Sequence, residues 1–264
     1  MVFIMADKTF VEILQEKTDA CRLMDAPLSV RLKSVADEVR RLSPEFADVV
    51  DRMVARLAVN GVGLAAPQPG EPMPDFMLPD SDGRLVSLSG LLADGPVVVS
   101  FNRGHWCPYC QLNVDALAKA APEIKVLGAQ VVAIAPETQR YANELKDYAH
   151  APFPILIDLD GGYALETNLL FWVGEEKRDA MKAGGFDIEP YQGNETWMLP
   201  VPATFIVGSD GLVKARYIDP DYRRRMELDA ILAALGNLAD RVQSQASETE
   251  STAPRTTGRR HSTA

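Results

Sequence analysis

The sequence predicts an α/β protein with a mixed central sheet flanked by helices, and three observations carry that prediction. From Pro96 to Ile157, apolar runs short enough to be buried strands alternate with stretches of helical periodicity. Late in the chain, Gly208-Ser209-Asp210-Gly211 joins two further apolar runs, the signal of an antiparallel hairpin. Between the first strand and first helix of the alternating series stands Arg103-Gly104-His105-Trp106-Cys107-Pro108-Tyr109-Cys110, a Cys-x-x-Cys placed where a helix begins. With 264 residues, 47% of them apolar, the chain holds enough material for one main core and an appendage.

Residues 1–59 read as a helical appendage. Phe10, Ile13, Leu14 and then Leu28, Leu32, Val35, Val39 and Leu42 recur at three- and four-residue spacing, interrupted at Pro27 and Pro44, which predicts about three helices. Residues 60–74, rich in Gly and Pro, read as a linker. The main domain is expected over 75–242. It opens with a hairpin, Phe76 to Leu78 and Leu85 to Leu88 around Asp80-Ser81-Asp82-Gly83. Strands follow at Pro96–Phe101, Ala129–Ala135 and Phe153–Ile157, with helices over Gln111–Leu127 and Gln139–His150 between them. Two more helices are predicted over Tyr163–Leu170 and Glu175–Met181, then an irregular excursion over Ala183–Met198. The hairpin Ala203–Val207 and Leu212–Tyr217 and a closing helix Met226–Leu238 complete the domain. Residues 243–264, mostly Ser, Thr and Arg, are expected to be disordered.

The formal net charge is −10, and residues 71–242 alone hold 25 Asp plus Glu against 15 Lys plus Arg. An acidic domain repels phosphate backbones and anionic headgroups, so neither nucleic acid nor membrane is expected as a partner. Arg223, Arg224 and Arg225 form one dense basic run, read as the solvated start of a helix rather than a phosphate site. No stretch has the length of a transmembrane helix, and Met1 to Met5 lacks the features of a signal peptide. Three cysteines do not make a disulfide-stapled secreted scaffold, so a reducing cytoplasm is the expected compartment.

The dithiol is the expected functional centre. A sulfur at a helix start lies near unpaired backbone N–H groups and the positive end of the helix dipole, which stabilise thiolate over thiol. Cys107 and Cys110, three apart, are spaced to close a small disulfide ring and so to cycle between dithiol and disulfide. No flavin, haem or nicotinamide signature is present, and no cofactor is expected, because the dithiol carries the electrons itself.

A strand leading into Cys-x-x-Cys on a helix, with a late hairpin opened by Val201-Pro202-Ala203-Thr204, resembles the plan of the thioredoxin fold, which implies a cis-Pro202 beside the sulfurs. The hairpin Asp75–Leu88, the Phe101–Cys110 box, the strand Val131–Pro136 and the Pro-Ala-Thr-Phe-Ile-Val segment together resemble the peroxiredoxin branch, the alkyl hydroperoxide reductase / thiol-specific antioxidant family, over roughly residues 72 to 236. The resemblance implies reduction of a peroxide by a cysteine thiolate, resolution of the sulfenic acid by a second thiol, and recycling by thioredoxin or another dithiol reductant. Laid on the family's Pro-x-x-x-Thr-x-x-Cys box, Cys110 takes the cysteine, Cys107 the threonine and Arg103 the proline. The arginine common before the late Thr-Phe is replaced by Pro202.

Two assignments of the attacking sulfur stay open: Cys107, by likeness to thioredoxin, or Cys110, by likeness to peroxiredoxins. Arg103 is a candidate for the cation that lowers a thiol pKa or orients a peroxide oxygen; its plainer alternative is an ion pair. His105 is a candidate cation or proton donor, or an outward-pointing side chain. Trp106 is a candidate platform beside the disulfide, or an aromatic packed on the sheet edge. Tyr109 reads as packing and Cys21 as a small buried hydrophobe. The competing functions are a thiol-disulfide oxidoreductase acting on protein or small-molecule disulfides, a metal-binding module and a redox-inactive adaptor. One Cys-x-x-Cys with His105 offers only three ligands where a structural zinc site wants four, so no metal is expected. A homodimer through the N-terminal helices is the remaining partner expectation.

Overall fold

The structure, a computed structural model, describes residues 4, 5 and 8–251. Two short strands, β1 (Ile4–Met5) and β2 (Lys8–Thr9), pair antiparallel and lead into three helices, α1 (Phe10–Arg22), α2 (Leu28–Leu42) and α3 (Pro44–Val59). Each start has a physical cause. Thr9 and Glu12 form a reciprocal capping box on α1, and Ser43 caps α3 with Pro44 at its first position. Pro27 gives α2 no side-chain cap, and Glu227, far along the chain, accepts from Leu28 N at 3.1 Å and Ser29 N at 2.7 Å instead. The predicted apolar stripes face inward: Phe10 and Leu14, then Leu28, Leu32, Val35, Val39 and Leu42, and also Val50, Met53 and Leu57 are buried within this chain.

Residues 60–74 run beside the late hairpin, with Gly70 N donating to Val213 O, Val213 N to Glu71 O and Met73 N to Gly211 O. The hairpin β3 (Met77–Pro79) and β4 (Leu85–Ser87) follows, turned on the Asp80 carboxylate, which accepts from Asp82 N and Arg84 N. A short helix, α4 (Leu88–Leu92), leads to the central sheet.

That sheet comprises β5 (Val97–Phe101), β6 (Gln130–Ala135), β7 (Ile155–Ile157), β10 (Ala203–Val207) and β11 (Val213–Ile218), in the order β11-β10-β5-β6-β7. β5, β6 and β7 run parallel through the crossover helices α5 (Pro108–Val126) and α6 (Gln139–Ala149), while β10 runs antiparallel to β5. The mixed sheet is the predicted one. Its strands read as unbroken apolar runs because both faces are covered. Val97, Val99 and Phe101 join the core shared with α1–α3, whereas Val98 turns to the opposite core with Val131, Ala133, Leu145, Ile206 and Leu235. A buried ion pair, Arg31 to Asp115 at 3.3 Å, ties α2 to α5.

Two expectations require correction. The helix predicted over Tyr163–Leu170 is only α7 (Gly162–Glu166); the left-handed Asn168 (φ 57°) ends the turn, and β8 (Leu170–Trp172) pairs with β9 (Met198–Pro200). The predicted helix Glu175–Met181 stands as α8 (Glu175–Ala183), whereas the excursion predicted over Ala183–Met198 is not wholly irregular: it holds α9 (Glu189–Gln192) and enters β9, which closes the insertion as a ribbon with β8. No peptide bond among the described residues is cis, so Val201–Pro202 is trans, where the thioredoxin fold that the sequence resembles places a cis-proline. The closing helix is α10 (Leu228–Ser251), and residues 252–264 lie outside the described residues. No helix among the described residues is long and apolar enough to cross a membrane.

Candidate active site

The loop after β5 and the first turn of α5 bring the dithiol together. Cys107 is the N-cap of α5 in extended conformation, Pro108 occupies the first helical position, and Cys110 N donates to Cys107 O at 2.9 Å. The fold therefore delivers both sulfurs to a helix N-terminus. Gly104, at φ 135°, is required by sterics as well as by the turn: a Cβ there would meet Glu137 Oε1 at 2.3 Å.

The two sulfurs differ in their surroundings. Cys110 Sγ accepts the backbone N–H of Arg103 at 3.2 Å and the Arg225 guanidinium Nη2 at 3.4 Å. Burial pushes its pKa up, but the Cys107 thiol, Arg225 and the Arg103 N–H and charge outweigh burial and bring it down to about 5. Cys107 is pushed well up, first by burial and then by the neighbouring Cys110 sulfur. Of the two sulfurs, the surroundings favour the thiolate on Cys110 and the thiol on Cys107. Both side chains are buried, and no disulfide joins them or Cys21.

Arg103 is fully enclosed, its guanidinium 3.8 Å from the centre of the Tyr222 ring and 4.8 Å from that of Trp106. It forms no ion pair with a carboxylate among the described residues. Tyr109 packs edge-on to Tyr222 at 5.5 Å. His105 is not brought to the sulfurs: its Nε2 faces Glu144 at 3.8 Å, its ring stands edge-on to Tyr148, and burial lowers its pKa against the pull of Glu144. Its backbone does more, with N–H to Glu137 Oε2 at 2.7 Å and carbonyl accepting from Gln111 at 2.7 Å. Pro202 precedes β10, whose Ala203 pairs with Phe101, so it lies at the sheet end from which the dithiol loop departs. Cys21 is wholly buried on α1 and does not line the cavity described next.

A cavity of about 50 Å³ opens on Cys107. Its floor is Arg103, Trp106, Pro108, Tyr109 and Tyr222; Val39, Phe46 and Val50 of α2 and α3 form one wall, and Lys177, Met181 and Phe186 of the insertion another. Cys110 is absent from the lining.

Four residues that sequence reasoning passed over complete the site. Arg225 was read as part of a solvated basic run; Arg223 does pair with Asp51 and Asp221, each at 2.7 Å, and Arg224 is exposed, but Arg225 is buried against Cys110. The one available signal was the arginine missing from position 202. Glu137, fully buried, is pushed well up, first by burial, with the His105 N–H opposing; Lys177, also buried, is pushed well down by burial and then by Arg103. Tyr222 supplies the ring beneath Arg103.

The chain has counterparts among known proteins. The AhpC/TSA family model matches residues 69–216. Peroxiredoxin bcp1 of Schizosaccharomyces pombe is 26% identical over 143 residues, 52% of this chain and 72% of that protein. A Mycobacterium tuberculosis relative whose name places it among the peroxiredoxins is 31% identical over 97 residues, 37% of this chain. The chain spans 63% of that relative's length. Thiol-disulfide oxidoreductase ResA of Bacillus subtilis is 31% identical over 93 residues, 34% of this chain and 50% of that protein. The solved structure of peroxidoxin BcpB from Mycobacterium tuberculosis superposes with a TM-score of 0.51 at 23% identity, covering 65% of this chain and 97% of that one, which establishes the thioredoxin-type fold. With a family match running over more than half its length and enclosing the whole dithiol loop, the chain belongs to the AhpC/TSA family.

Proposed function

We propose that the protein is a thiol-dependent peroxidase that reduces hydrogen peroxide or a small organic hydroperoxide at Cys110. The observation that carries this reading is the pair of N–H donors, from Arg103 and Arg225, on a Cys110 sulfur at a helix start. They favour the species that attacks. The Cys110 thiolate takes the terminal peroxide oxygen and the O–O bond breaks. The departing alkoxide or hydroxide takes a proton and leaves as alcohol or water, with Cys110 oxidised to sulfenic acid. The Cys107 thiol then attacks that sulfur, water leaves, and a Cys107–Cys110 disulfide forms. A thioredoxin-like dithiol returns both sulfurs to the reduced state, which fits a reducing compartment such as the cytoplasm. Arg225 serves as the cation at the reacting sulfur, with the backbone N–H of Arg103 as its second donor. The cavity in front of the dithiol, about 50 Å³, suits a small peroxide rather than a bulky one.

One observation favours a second reading. Cys107 lines the cavity and Cys110 does not, the arrangement a disulfide reductase needs for Cys107 to attack a substrate disulfide. Stopped-flow tryptophan fluorescence of the reduced protein against hydrogen peroxide separates the two. The peroxidase reading expects oxidation far faster than that of a free thiol, retained in Cys107→Ser and abolished in Cys110→Ser. A rate no better than a free thiol sinks it, and loss in Cys107→Ser with retention in Cys110→Ser reverses the roles of the sulfurs.

A further inference from the structure

Four cations line the cavity in front of Cys107, and no aspartate or glutamate does. Two of them are already committed. Arg40 pairs with Asp48 and Asp51, and Arg223 with Asp51 and Asp221. The other two, Arg103 and Lys177, are each 2% exposed and make no ion pair with any described carboxylate. Both lie against aromatic rings: Arg103 on Tyr222 and Trp106, and the Lys177 Nζ 3.5 Å from the centre of Phe46. Arg103 Nε and Nη1, both buried, have no hydrogen-bond partner.

A buried guanidinium with two unspent donors is costly, and so is a second buried cation facing the same small space. The Cys110 thiolate balances one charge, but Arg225 already donates to that sulfur, so the cluster keeps an excess of positive charge. Burial and the nearness of Arg103 push the Lys177 amine down, the response of a cation lacking its counterion. What the cavity lacks is an anion with two acceptor oxygens. The remaining lining is apolar, chiefly Leu14, Val39, Val50, Met181 and Phe186.

We propose that Arg103 and Lys177 form a carboxylate-binding subsite beside Cys107, so that the hydroperoxide this site takes carries a carboxylate on a short apolar chain. This rests on the peroxidase reading for the reacting end of the molecule and on the unpaired cations for the other end. The carboxylate occupies the free donors of Arg103, the apolar chain lies along the aliphatic wall, and the peroxide group is directed to the dithiol.

The test uses the full chain and a matched pair, 3-hydroperoxy-3-methylbutanoate and its amide, with the corresponding non-reactive alcohols for binding. The expected result is a kcat/KM for the acid about tenfold or more above that for the amide, as a charge-assisted bond predicts. That ratio falls toward one in Lys177→Met and is kept in Lys177→Arg, a pattern that a merely structural lysine does not produce. A ratio near one in the wild type overturns the proposal without any variant. If neither hydroperoxide reacts, the peroxidase reading falls and the hydroperoxide is overturned as occupant. The alcohol pair, titrated by tryptophan fluorescence, then decides the subsite: preference for the acid retains it, and equal binding removes it.

Discussion

On the side of the sheet away from the cavity, Val98, Val131, Ala133 and Ile206 meet Leu117, Leu145 and Leu235 in apolar packing. On the cavity side the same kind of packing gives way around the Cys-x-x-Cys loop to three buried cations, Arg103, Lys177 and Arg225, and the buried Glu137. One region contributes stability through area removed from water; the other gives some of it up to hold charge where a thiolate forms. The difference teaches where a substitution costs folding and where it costs chemistry.

The largest effect is expected at the sulfur itself. Cys110→Ser should lower peroxide turnover, assayed with a thioredoxin-like reductant, by about a thousandfold or more, while in acid, where the Cys110 thiol is protonated, the melting temperature stays near that of the wild type. On the opposite side Leu145→Ala should do the reverse. Leu145 is fully buried in the apolar core, and its truncation should cost about 2–5 kcal/mol in denaturant unfolding, with the acid-range thiol ionisation kept. If that substitution shifted the ionisation, the division between the two regions would fail.

Arg225→Met tests the cavity side next. Removing a charged donor from Cys110 should slow the reaction with peroxide at neutral pH by about tenfold to a hundredfold and move the pH profile of that reaction upward. A profile left in place would assign Arg225 a packing role only. Glu137→Gln should show the smallest effect. A carboxyl whose folded pKa is raised contributes its stability below the unfolded pKa, and loses it as pH rises through the folded value. The glutamine variant should therefore match the wild type in acid and become more stable than it as pH rises, by about 1–3 kcal/mol in urea unfolding.

Much of this organisation was legible before folding. β5, β6, β7 and β10 announce themselves because strands buried on both faces are unbroken apolar runs, and the Cys-x-x-Cys is local in sequence. The ribbon β8–β9 was not legible: Leu170–Trp172 is three residues long, and only pairing with Met198–Pro200 makes it a strand. The cations of the site were hidden for a related reason. Arg225 stands in a run of three arginines and Lys177 in Glu-Glu-Lys-Arg, both of which read as solvated surface. Their burial is set by elements distant in sequence, Cys110 for Arg225 and Phe46 of α3 for Lys177.

The same physics gives the reduced form a pH signature. Cys110 ionises at about 5, below a free thiol at about 8.5, so the stability it contributes is fully present above the free-thiol value and is lost as pH falls through the folded one. Reduced wild type should gain on Cys110→Ser across that window. The most direct measurement is the ultraviolet thiolate absorbance of the reduced protein titrated from acid to neutral pH, in wild type and Cys110→Ser. The account predicts one thiolate ionising near pH 5 that vanishes in Cys110→Ser. An ionisation that survives in that variant, or one that begins only in the range of a free thiol, contradicts it.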